Sequence, residues 1–185
     1  QWYTADKDGN KTGEKTSEYS KAGNFIAGTS LPDLVGGVQN SFTYKNFDLN
    51  VFFRSVLGNK IMNVTRADLY RPSTARFTNI PVEVAGESAA DYNSYRYSSR
   101  FIENGSYLRI QNVTLGYSLP SDIISKIKLS RLRIYASGQN LFTFTKYKGY
   151  DPEVGAYNQD ALLSGVDNGR YPVPRQITFG FNVEF

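Results

Sequence analysis

The chain has no cysteine and no histidine among its 185 residues. Without cysteine there is no disulfide, no thiol nucleophile and no zinc–thiolate site. Without histidine there is no Ser-His-Asp relay, no HExxH zinc site and no side chain with an unperturbed pKa near neutrality. Lys, Tyr and paired carboxylates are what remain for chemistry. Long apolar runs are missing too, and nothing approaches the roughly 18 unbroken residues of a membrane helix. That excludes a helical crossing but not a β-barrel, whose strands show lipid only alternate residues. Charge of one sign is nowhere concentrated. The 21 basic residues are scattered among 17 acidic ones, so no nucleic acid partner is expected. No cofactor or metal is expected either. Asp6 to Asn10 (DKDGN) places its glycine fourth, not sixth as an EF-hand loop requires.

Aromatic residues are plentiful, with 14 Tyr and 12 Phe against one Trp. Their order matters most at the end of the chain. From Arg175 to Phe185, Ile177, Phe179, Phe181, Val183 and Phe185 take every second position, and Gln176, Thr178, Gly180, Asn182 and Glu184 fill the gaps. One face is oily and the other polar. Eleven residues at about 3.3 Å each, tilted by roughly 45°, cross the apolar slab of an outer membrane. The sequence then stops on an aromatic carboxyl-terminal residue, as bacterial outer-membrane barrels do. Phe179, Phe181, Val183 and Phe185 are the expected barrel-assembly signal. A protein bound for that membrane needs a signal peptide, and Gln1 to Asn10 has neither a basic nor an apolar region of that kind. The leader is then either cleaved or precedes Gln1.

Four further segments read as strands. Gly36 to Tyr44 and Phe47 to Leu57 form a hairpin around Lys45-Asn46, with Phe47, Leu49, Val51 and Phe53 in phase. Tyr107 to Ser118 changes phase: Leu108 and Ile110 share one face, while Val113, Leu115 and Tyr117 fall on the other. Either a bulge intervenes or only the second half meets lipid. Arg131 to Phe144 is the fourth, with Leu132, Ile134 and Ala136 in phase. Ser121 to Leu129 suggests a turn or two of helix capped by its Ser-Asp start. Residues 1–35 read as a long loop. So do 58–106 and 145–174, which lack a sustained period.

Short and long connections alternate strictly. With the C-terminus in the periplasm, residues 45–46 and 119–130 lie there, and 58–106 and 145–174 face out. Five strands cannot close a barrel, and an open sheet in lipid leaves two rows of unpaired backbone groups. The expected fold class is therefore all-β: an antiparallel transmembrane β-barrel segment with long extracellular loops. Residues 1–35 would be an extracellular region leading into it, and 36–185 the C-terminal part of the barrel.

Several stretches resemble the C-terminal barrel region of SusC/RagA-family TonB-dependent transporters. They are Tyr44 to Leu49 (YKNFDL), Gly58-Asn59 before Ile61-Met62-Asn63, Phe101 to Pro120 (FIENGSYLRIQNVTLGYSLP), Leu132 to Glu153 with its KYKGYDPE, and Gly169 to Phe185 with Tyr171-Pro172. The resemblance implies these are the last five strands of a barrel of about 22. It also implies a SusD-like surface lipoprotein as lid, TonB as the energy source acting through the missing N-terminal part, an outer-membrane location and import of oligosaccharides or peptides.

Tyr147, Tyr150 and Asp151 are candidate ligand contacts on an outward loop, with rings to stack on a sugar and a carboxylate for its hydroxyls. The plain reading is a rigid Gly149/Pro152 turn that the rings brace. Tyr92, Tyr95, Arg96 and Tyr97 form a second candidate, for ligand or lid. Tyr117, Tyr135 and Phe185 read as interfacial anchors. Asp151 and Glu153 resemble a carboxylate pair, but adjacency does not make a glycosidase site, so no enzyme is expected. The reading of another class is a stand-alone soluble β-sandwich that binds carbohydrate, with Phe179, Phe181, Val183 and Phe185 in a dry core.

Overall fold

The structure, a computed structural model, describes residues 2–74, 77–86, 97–155 and 163–185. Its first feature corrects the expected opening loop. β1 (Trp2–Ala5) and β2 (Lys11–Thr16) form an antiparallel hairpin. The turn is closed by the Asp6 carboxylate, which accepts the backbone N–H groups of Asp8 and Asn10 at 2.9 and 2.8 Å. These bonds hold Asp6 below the usual carboxylate range, the one from Asn10 contributing most. β2 (KTGEKT) has no apolar residue to betray a strand. Lys11 Nζ sits 3.4 Å above the Tyr3 ring instead.

β3 (Leu34–Tyr44) and β4 (Phe47–Leu57) follow, then β5 (Lys60–Asn63), α1 (Val64–Leu69) and β6 (Ile102–Asn104). β7 (Tyr107–Ser118), α2 (Ser121–Ile124), β8 (Arg131–Thr145), β9 (Val166–Asp167) and β10 (Gln176–Glu184) complete the chain. β3, β4, β7, β8 and β10 make one antiparallel sheet in the order β10-β8-β7-β4-β3. Lys45, at φ +52°, takes the left-handed conformation that a two-residue hairpin turn demands. α2 is a single turn capped by Pro120 rather than Ser121, with no side-chain cap bond. Lys128, at φ +56°, ends the 3₁₀ turn that follows it.

The register resolves the phase change in β7. Phe52 pairs with Asn112 and Phe53 with Ile110, leaving Gln111 as an extra residue. That bulge returns both halves to one face: Leu108, Ile110, Val113, Leu115 and Tyr117 all align with the Phe47–Leu49–Val51–Phe53 row. A matching irregularity in β8 skips Asn140 and Leu141 and pairs Phe142 with Ile110. Asn140 adopts φ +53°, and its amide donates to the Pro174 carbonyl at 3.1 Å.

Asn40 and Ser55 aside, one face of the sheet is consequently apolar across its strands, and partly to fully exposed. Phe42, Leu115, Phe142, Phe179 and Phe181 all belong to it, with Phe179 79% exposed. Among the described residues Phe179, Phe181 and Phe185 are exposed, where the sandwich reading needs them in a dry core. The opposite face is polar and internally paired. Arg133 forks onto Asp48 through Nε at 2.9 Å and Nη2 at 2.5 Å. Tyr135 lies on this face, stacked by Arg133 and set over Gly180, which corrects its reading as an interfacial anchor. Tyr117 is on the apolar face, its ring 4.6 Å from that of Phe47.

The two long connections are not bare loops. β5 pairs antiparallel with β6 and parallel with β9, joining 58–106 to 145–174 in a small sheet. A separate core of Ala67, Tyr70, Val84 and Phe101 lies beside it, with Met62 and Ile80 packed against it. The N-terminal segment is tied in as well, since Lys60 N–H donates to the Thr29 carbonyl at 2.8 Å. These pieces are two to six residues long, too short for any period to show. Among the described residues no helix is long and apolar enough to cross a membrane.

Candidate functional site

The polar face places Arg54 of β4 and Arg109 of β7 side by side, because they are register partners. Two adjacent cations need two anions, and the turn after β8 brings them. Arg109 is 1% exposed. Its Nη2 bonds Asp151 Oδ1 at 2.5 Å, its Nη1 bonds Glu153 Oε2 at 2.7 Å and its Nε donates to Thr143 Oγ1 at 2.9 Å. Arg54 Nη1 takes the other Glu153 oxygen at 2.7 Å. Each of the three nitrogens of this buried guanidinium meets an acceptor, two of them carboxylates, which offsets the cost of burying its charge.

Asp151 is the centre of the arrangement. Besides Arg109, its Oδ1 accepts the Glu153 N–H at 2.9 Å, closing the turn around Pro152. Its Oδ2 accepts the Val173 N–H at 3.1 Å. One carboxylate thus fastens the 147–153 turn to the sheet and ties the 171–174 segment to both. Between these segments lies a cavity of about 550 Å³, bordered by Arg109, Thr143, Pro172 and Arg175, with Tyr150 and Tyr171 on its lining. Tyr150 is 73% and Tyr171 86% exposed, so both rings offer faces to solvent.

The outer side of the turn is locked separately. Tyr147 is buried, and its hydroxyl donates to Asp167 Oδ2 at 2.5 Å. Burial, and then the bond to that carboxylate, push the phenol far above its ordinary value. Lys148 N–H donates to Glu103 Oε2 at 2.8 Å, and Glu103 Oε1 pairs with Arg66 at 3.0 Å. Gly149 lies against the Tyr147 ring, where a side chain has no room.

Of the candidate contacts, Tyr150 stands free at the cavity. Tyr147 is committed to packing and Asp151 to Arg109. Tyr97 is half-exposed at the small apolar core, donating to Asp68 at 2.9 Å, a bond that raises its phenol above the usual range. Tyr92, Tyr95 and Arg96 lie outside the described residues. Arg54 and Arg109 were missed, although alternation in the two strands sets them on the wet face. Asp151 and Glu153 are both neutralised by arginine, not poised as an acid/base pair. Among the described residues no three acidic side chains gather to hold a metal.

No family model matches the chain. It is 38% identical over 98% of its length to TonB-dependent receptor P3 of Formosa agariphila, covering 18% of that protein. It is 30% identical over 97% of its length to TonB-dependent receptor SusC of Bacteroides thetaiotaomicron, covering 17% of it. The RagAB peptide importer in its closed-closed state superposes on all of this chain with a TM-score of 0.72 at 25% identity, over 21% of that chain. The chain thus spans about a fifth of the length of the proteins it matches. Those proteins are named as receptors and as a peptide importer. In sequence and in structure, the chain is homologous to TonB-dependent receptors of the SusC/RagA kind, a homology that places it in the outer membrane.

Proposed function

We propose that the chain is the C-terminal barrel portion of a SusC-like TonB-dependent importer of oligosaccharides or peptides. It supplies five neighbouring wall strands, the inner turns at 45–46 and 119–130, and an outer rim built from 1–33, 58–106 and 145–174. The observation that carries this is the sheet itself: one face mostly apolar and partly to fully exposed, the other polar and ion-paired. Lipid is the solvent that suits the first face, and a wet lumen suits the second. β3 and β10 each have one unpaired edge among the described residues. In a bilayer such edges must be closed by further strands.

On this reading the Arg109–Asp151–Glu153 cluster shapes the rim. Tyr150 and Tyr171 are the ring surfaces that passing cargo meets, and the folded outer unit is where a SusD-like lipoprotein rests. TonB acts through parts of the polypeptide outside these residues. The test uses single cysteines in the full-length protein, spin-labelled in lipid. Labels at Phe179 and Phe181 should favour oxygen over a nickel chelate as collision partner, and labels at Thr178 and Asn182 should not. Equal chelate access at all four sites would rule out a lipid-facing wall.

A further inference from the structure

A cation stands just past the end of each of two neighbouring strands. Arg175 immediately precedes β10, in sequence phase with Ile177 and Phe181. Lys146 immediately follows β8, in sequence phase with Phe142 and Phe144. The Arg175 guanidinium lies 5.7 Å from the Phe142 ring, and Phe142 pairs with Ile110 on the apolar side. Arg175 borders the cavity, and its guanidinium also lies near a ring of the apolar face. Both cations are exposed, and no carboxylate of the described residues pairs with either. The arginines of the polar face differ, for Arg54, Arg109 and Arg133 each hold a carboxylate within 2.7 Å. Charge is matched inside the wall and left open where it meets the surroundings.

We propose that Arg175, assisted by Lys146, binds the phosphate of an outer-leaflet lipid headgroup at the upper boundary of the apolar face. This rests on the barrel reading above. An aromatic ring supports the flat guanidinium while its N–H fork stays free, and that fork matches phosphate in two parallel bonds. Stems of this length can lie along apolar surface while the charge reaches the headgroup level. Lys45, 5.4 Å from the Tyr44 ring at the opposite end of the sheet, belongs to the other leaflet and serves as the control.

The test titrates bis-phosphorylated lipid A, its dephosphorylated form and inorganic phosphate into the detergent-solubilised full-length protein, reading bound lipid by native mass spectrometry. Phosphorylated lipid A should bind about tenfold more tightly than the dephosphorylated form. Arg175→Gln should cut that preference several-fold, Arg175→Gln with Lys146→Gln should remove it, and Lys45→Gln should leave it unchanged. A double variant that keeps the wild-type preference overturns the proposal, as does a wild type that binds inorganic phosphate as well as the lipid. Heat-modifiable migration monitors the barrel in each sample. Its absence from the wild type would overturn the barrel reading itself, a different failure from a folded barrel without lipid preference.

Discussion

Arg109 shows how one side chain can set the shape of a rim. Removing its guanidinium leaves Asp151 without a cation and Glu153 with Arg54 alone, and breaking a buried pair from one side costs about 3–5 kcal/mol. Arg109→Ala should therefore raise amide exchange across 147–153 and 171–174, leaving the central amides of β7 and β8 protected. Equal loss of protection in the strands would mean that the cluster holds the whole sheet. Tyr147 makes a pH prediction. Its phenol titrates higher in the folded protein than its ordinary value of 10.0, so the folded state holds the proton more tightly. The stabilisation is complete below pH 10 and is lost as pH rises beyond it. The outer unit should loosen in alkali, and Tyr147→Phe, about 1–2 kcal/mol less stable at neutral pH, should lose that dependence. Fluorescence-monitored unfolding across pH 8–11 reads both. At this scale the sequence shows Asp151 and Tyr147 as residues of interest. It does not show that both are consumed by partners 42 and 20 positions away, since such pairing exists only once distant strands are in register.

At the scale of elements, strands with a buried or lipid-like face were legible because period-2 alternation leaves few alternatives. Phe47–Leu57 and Tyr107–Ser118 have the bounds read from the sequence alone. The apparent flaw in β7 is the informative case. Alternation signals that a bulge or a boundary is present, and only cross-strand register identifies Gln111 as the extra residue. Deleting Gln111 removes the bulge and leaves Ile110, Val113 and Leu115 in plain alternation, so Arg109 and Leu115 keep their faces. Inserting one residue beside Thr114 breaks that phase and must turn one half of β7 over. The insertion should lower the yield of heat-modifiable protein to a small fraction of wild type, and the deletion should keep most of it. Equal yields would mean that the strand tolerates a slip. The β1–β2 hairpin and the β5-β6-β9 sheet were illegible for the opposite reason. Their strands are short and lack apolar alternation, and they are held by contacts between distant segments.

At the scale of the whole molecule, the sheet has one apolar face, one polar face and two open edges, which frames the role proposed for its last strand. If Phe179, Phe181, Val183 and Phe185 are read by the machinery that inserts barrels, deleting Phe185 should lower assembled protein in the membrane without changing ligand affinity of the fraction that assembles. Normal assembly in that variant would remove the signal from this strand. The sequence by itself determined the absence of thiol and imidazole chemistry, the five long strands, their alternating short and long connections, and the apolar face of β10. These follow from composition and from a two-residue period, both local properties of the chain. Tertiary structure alone decided that the bulge at Gln111 makes the apolar face continuous, that the long connections fold together around Phe101 and Tyr70, and that Arg54 and Arg109 seize the Asp151–Glu153 turn. Each of these depends on register between segments far apart in sequence, a property that no local pattern of residues contains.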